Sequence, residues 1–174
     1  MMVASMGGCG DVGAGVRFDL SRPVCLALGT ALPIDTGQAE RALREGVEQF
    51  GGRLTIEAGC PQVVSVVYDA ACSCTETLCT PTTPQTAAYV GPWQWSTIHV
   101  CPRSKETILA VGMEAAADAL LKHELGHVFG LKAHLAAGTL MAAAVDLDRP
   151  VRRFTSTDVA AICAQRKVSS SACD

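Results

Sequence analysis

No stretch of this 174-residue sequence approaches the roughly 18 consecutive apolar residues that a membrane-spanning helix needs. A basic stripe is missing too: 14 Lys and Arg stand against 17 Asp and Glu, for a formal charge of −3. Phosphate backbones are met by concentrated positive charge, so a nucleic-acid partner is excluded. There is no self-similarity at a period of 20–50 residues, which removes solenoids and propellers. No two cysteines form a CxxC pair. A thiolate metal site therefore rests only on CSCTETLC (72–79), a CxC with one further cysteine and no histidine nearby.

What remains is an ordinary globular composition, 49% hydrophobic. Its length suits one domain with a sizeable core, or two small lobes sharing a cleft. Nine cysteines, at 9, 25, 60, 72, 74, 79, 101, 163 and 173, are many for such a chain. Spread along the whole length without pairs, they read as a disulfide framework, hence an oxidising, extracellular or cell-envelope location. The odd count sets Cys9 aside. MMVASMGGCG resembles a bacterial lipoprotein cleavage box, which would make Cys9 a lipid anchor and the chain's one membrane contact. Only eight residues precede it, with no Lys or Arg and no apolar region, so either the natural start lies upstream or the match is accidental.

Along the chain, residues 1–22 are Gly-rich and aperiodic and read as a poorly ordered or signal-like segment, leaving 23–174 as a single domain. VCLALGT (24–30) reads as a buried strand. A helix follows, with Asp35 as N-cap, Gln38 three residues on, apolar positions at Ala39, Ala42, Leu43, Val47 and Phe50, and Gly51-Gly52 as its stop. RLTIEAG and VVSVVYDA read as strands, 70–96 as a cysteine-stapled surface loop, and STIHVC (96–101) as a further strand. GMEAAADALLKHELGHVFG (112–130) is Ala- and Leu-rich, free of proline and closed by Gly130, which predicts a long helix. Thr155 with Asp158 can cap a last helix, STDVAAICAQRK. The order β-α-β-β-β-α plus a C-terminal helix predicts an α/β (α+β) domain, with an N-terminal subdomain over 23–130 and a C-terminal one over 131–174.

The long helix carries the chemistry. Residues four apart are stacked one turn above the other, so His123 and His127 aim their imidazoles the same way and can share one ion. Glu124 lies about 100° round the axis, badly placed to ligate but well placed to hold a water. Leu121, Leu125 and Val128 form a core stripe nearly opposite the histidines, so the helix fits between a sheet and a cleft.

HELGHVFGL resembles the metzincin zinc peptidases, most closely the matrixin branch, whose pattern HExxHxxGxxH leads through a loop to a methionine turn. His123, Glu124, His127 and Gly130 match it position by position. GTLM, ending at Met141, resembles the methionine turn, and FTSTDVAAIC the helix after it. The likeness is strongest over about 121–163; upstream, the order of elements agrees and STIHV is similar to the cleft-edge strand. The resemblance implies a metzincin-like zincin: a mixed twisted sheet with two helices and a small C-terminal subdomain ending in a helix. It implies a monomeric zinc endopeptidase in which histidines hold Zn2+, Glu124 is the general base, Gly130 turns the chain back toward the metal and Met141 packs beneath. A peptide substrate would lie extended beside the strand around Ile98. One position departs. Where the pattern wants a third histidine stands Ala133, and the histidine is His134. Either His134 bulges back to ligate, or two histidines and another donor hold zinc weakly, or the site is degenerate and the chain is an extracellular binding protein on a peptidase scaffold. No tyrosine follows Met141, where Ala142, Ala143 and Ala144 stand, so the zinc-reaching tyrosine of some relatives is missing. His99, in STIHVC, reads as structural.

Overall fold

The computed structural model describes residues 3–5, 18–57, 59–70, 88–90, 96–101, 113–146, 149–165 and 167–174. In chain order its elements are β1 (Val3–Ser5), β2 (Phe18–Asp19), β3 (Val24–Leu28), α1 (Thr36–Gln49), β4 (Leu54–Thr55), β5 (Val63–Tyr68), β6 (Ala88–Val90), β7 (Thr97–Val100), α2 (Met113–Val128), β8 (Ala144–Asp146), α3 (Ser156–Ala164) and β9 (Val168–Ser169). A five-stranded mixed sheet runs in the order β4-β3-β5-β7-β6; β6 alone is antiparallel to its neighbour. Central parallel strands need apolar, β-branched side chains on the packed face. In β5 the alternation runs from 63 to 67: Val64 and Val66 are buried while Val63 is exposed and Ser65 and Val67 are half-buried.

Helices α1 and α2 pack against each other and against the sheet. The α1 signals act as the sequence predicts. Asp35 accepts a hydrogen bond from the Gln38 amide at 2.9 Å, all five apolar positions named above are fully buried, and Gly51 ends the helix at a φ of 74°. The helices approach closely at Gly46, where a Cβ would stand 2.7 Å from Leu125 Cδ2. The chain's four phenylalanines lock the same region: Phe129 meets Phe18 and Phe50 edge-on at 5.8 and 5.2 Å, and Phe50 meets Phe154 at 5.1 Å.

Beside Gly46 lies a buried ionic network. Lys122, only 1% exposed, donates from Nζ to Glu45 Oε2 at 2.7 Å and to the Arg152 carbonyl at 3.0 Å, while Arg152 pairs with Asp118. A buried ammonium is tolerable only when its donors are all met. The hydrogen bond from Lys122 holds the Glu45 carboxyl below the usual range, against the opposing effect of partial burial. A depressed carboxyl pKa contributes stability above the unfolded-state value and loses it as pH falls through the folded-state value. Glu45→Gln should therefore lower stability at neutral pH, by about 1 kcal/mol for a half-exposed carboxylate, and change it little in strong acid. Urea titrations at pH 7 and pH 3 measure the difference.

Three expectations change. The folded body does not begin at 23: Phe18 is fully buried, Leu20 is 3% exposed, and β2 pairs in parallel with β9. Residues 3–5, in the same segment, form β1, antiparallel to β8. STIHV is not an edge strand, because β7 is enclosed between β5 and β6 and Ile98 is fully buried. The sheet margin on that side is β6, which the sequence left inside a loop. Most of that loop, with Cys72, Cys74 and Cys79, lies outside the described residues, as does Cys9.

Disulfides join Cys25 to Cys60 and Cys163 to Cys173, and Cys101 is also disulfide-bonded. Such bridges persist in oxidising compartments, which points to a location outside the cytosol. Among the described residues no helix is long and apolar enough to cross a membrane.

Candidate metal centre

Helix α2 carries His123, Glu124 and His127 in buried positions. His123 and Glu124 are fully buried and His127 is 1% exposed, because the chain after Gly130 folds back over them. Gly130 adopts a φ of 102°, and a Cβ there would meet Lys167 at 2.6 Å, so both backbone and space demand glycine. The turn buries Leu131 and leaves Lys132 and Ala133 exposed. These two exposed residues absorb the one-residue offset. His134 then returns to the site, and its loop is fixed by the Leu135 amide donating to the Met141 carbonyl at 2.8 Å and by a bridge between Leu135 and Ala142.

The structure thus brings His123, His127 and His134 together. One ring nitrogen from each lies within 4.8 Å of the other two, and the ring centroids are 4.9–5.2 Å apart. His99 stands apart on β7, its Nδ1 3.8 Å from Asp69 Oδ2, and burial lowers its pKa more than Asp69 raises it.

Tautomers follow from the hydrogen bonds. His123 Nδ1 lies 2.8 Å from the Leu140 carbonyl and His127 Nδ1 2.6 Å from the Leu131 carbonyl. A carbonyl only accepts, so each Nδ1 carries the proton and each Nε2 of the neutral ring presents a lone pair. Neutrality is secured by burial, which depresses His123 well below the ordinary range and His127 to about 4. The two Nε2 atoms face each other at 3.2 Å. Two lone pairs at that distance repel. With no proton to share, they call for a cation between them. Two nitrogens bound to one tetrahedral zinc at 2.0–2.1 Å stand about 3.3 Å apart, so the pair is already spaced for a common ion.

Two further buried groups lack partners. Neither Glu124 carboxylate oxygen has a hydrogen bond, nor has His134 Nε2. Burying a polar atom without a partner is costly, and burial pushes Glu124 up to about 8. Three imidazoles whose ligand nitrogens all lie within 4.8 Å of one another fit a divalent cation, and the buried Glu124 carboxylate, next in sequence to His123, is not among those ligand atoms. The donor set suits zinc as a three-histidine site. The ion's identity is open at this level, since imidazole also accepts copper, nickel and iron.

Below the site, Met141 is fully buried against the helix at Gly126. A Cβ on Gly126 would lie 2.3 Å from Met141 Sδ, 2.8 Å from its Cε and 3.2 Å from Phe154. Helix propensity favours alanine over glycine by about 1 kcal/mol, yet here the fully buried Met141 thioether would have to shift to admit the methyl. Gly126→Ala is expected to destabilise the protein by about 1–2 kcal/mol through overpacking, read from the urea midpoint, and Met141→Ala should relieve most of that cost in the double variant.

Sequence reasoning missed what orients the ligands. Asp158, read only as a helix cap, is fully buried and does more. Its carboxylate accepts from the Thr155 amide and hydroxyl, completing the capping box, and also from the Leu140 and Met141 amides at 3.0 and 3.1 Å. Leu140 in turn offers its carbonyl to His123. The start of α3 therefore holds the turn that holds the first histidine, an outer-shell arrangement of the kind metal-bound histidines use. The box was visible in the sequence; its second use needed the tertiary fold.

No protein-family model matches the sequence, and no curated protein matches it.

Proposed function

We propose that the chain is a zinc-dependent endopeptidase of metzincin type, in which His123, His127 and His134 hold the metal and Glu124 is the catalytic base. The observation that supports it most is the pair of facing Nε2 lone pairs at 3.2 Å on a helix that also carries an unpartnered, fully buried carboxylate, Glu124. Bound zinc supplies a Lewis acid that polarises the scissile carbonyl and makes a neighbouring water more acidic. Glu124 then takes a proton from the attacking water and passes it to the leaving amine. The Leu131 and Leu140 carbonyls keep the histidine tautomers fixed, so no proton has to leave the two helical histidines when metal enters at neutral pH. The burial of Glu124 excludes bulk water from its carboxylate.

The substrate class is peptide, and the disulfides support a location outside the cell or in its envelope. The test is hydrolysis of casein by protein reconstituted with one equivalent of zinc, abolished by a chelator and restored by zinc. Stoichiometric zinc uptake without cleavage of casein or gelatin would instead indicate a binding protein on the same scaffold.

A further inference from the structure

Strand β8 begins two residues beyond Ala142, which is bridged to Leu135 beside His134. About 7 Å of extended chain separates the two positions. Among the described residues its partner is β1, with Ser5 opposite Ala144, Ala4 opposite Val145 and Val3 opposite Asp146. The register puts Ser5 at the end nearer the histidines.

A strand edge next to a peptide-cleaving site is where an extended backbone docks, because main-chain hydrogen bonds give affinity with little demand on sequence. Here the chain's own residues 3–5 hold that edge. Three pairs in an isolated two-stranded ladder are marginal by themselves. Such a ladder lies at the low-stability end of a fold and opens readily. What favours it is covalent connection: the same chain is anchored at fully buried Phe18, and an intramolecular strand meets its partner at a higher effective concentration than a dilute free peptide does.

We propose that β1 is an intramolecular competitor for peptides: it occupies the backbone edge of β8 and must leave before an extended peptide can use it. The inference rests on the peptidase reading for the identity of the displaced ligand's class. In an antiparallel ladder alternate residues exchange both hydrogen bonds. Proline at Ala4 and Ser5 together therefore removes a ladder donor whichever phase applies.

The probe is a synthetic peptide of residues 1–8, MMVASMGG, titrated to millimolar concentration and followed by NMR in the Glu124→Gln background, where turnover cannot interfere. The Ala144–Asp146 amides should shift with an apparent Kd at least fivefold lower when Ala4→Pro and Ser5→Pro are present than when β1 is intact. In zinc-loaded protein with Glu124 restored, the same two prolines should raise kcat/KM for casein by a similar factor. Equal Kd values, no shift of those amides in either protein, or equal kcat/KM in two active proteins would each overturn the proposal. If the titration separates the proteins but neither cleaves casein, the strand competition stands and the peptidase reading falls.

Discussion

Glu124→Gln is expected to cut casein hydrolysis by at least about a thousandfold while zinc uptake stays stoichiometric. General-base catalysis is worth about 10²–10⁴ in rate, and the amide keeps the shape of the carboxylate without its basicity. Glu124 is not among the clustered histidine nitrogens, so its loss removes no ligand. A second signature is thermodynamic and needs no turnover. In metal-free protein the folded-state pKa of Glu124 is raised to about 8 by burial. The native state then binds more protons than the unfolded one between the ordinary carboxylate range and pH 8, so stability falls as pH rises across that window. Glutamine does not ionise. The metal-free variant should therefore lose less stability between pH 5 and pH 8 than the parent, which thermal midpoints at the two pH values will show. Equal pH slopes, or hydrolysis within tenfold of the parent, would remove Glu124 from the role of base.

His134→Ala should weaken zinc binding by at least about a hundredfold, since it turns a three-imidazole site into a two-imidazole one. The structural cost should be small. His134 sits on a loop, is partly exposed, and its Nε2 has no hydrogen bond to lose. The metal-free variant should unfold within about 0.5 kcal/mol of the parent, as substitutions away from packed features do. Competition titration with a chromophoric chelator reads the affinity, and a urea titration without metal reads the stability. A metal affinity unchanged within a factor of three would return the third position to some other donor.

Much of the centre was legible because it is local. The spacing of His123, Glu124 and His127 fixes their directions once α2 exists, and α2 is predicted by composition and its closing glycine. His134 was harder. Spacing alone put it one residue late, and only the fold shows that exposed Lys132 and Ala133 take up the excess while the Leu135–Ala142 bridge sets its place. The orienting carbonyls of Leu131 and Leu140 and the reach of Asp158 to the Leu140 and Met141 amides are tertiary facts with no signature of their own. In the fold, α1 and the longer strands announced themselves by caps and apolar runs. The strands that were missed, β1, β2, β6, β8 and β9, are two or three residues long and owe their existence to distant partners: Val3 to Asp146, Phe18 to Val168, Val90 to Ile98. Short non-local pairing leaves no periodicity to read.

The most direct measurement is X-ray absorption fine structure at the zinc edge of the reconstituted wild-type protein, with disulfides intact. The expected spectrum shows three imidazole nitrogens per zinc at about 2.0–2.1 Å and no sulfur donor. Failure to take up zinc, a sulfur shell, or only two imidazoles per ion would contradict the account.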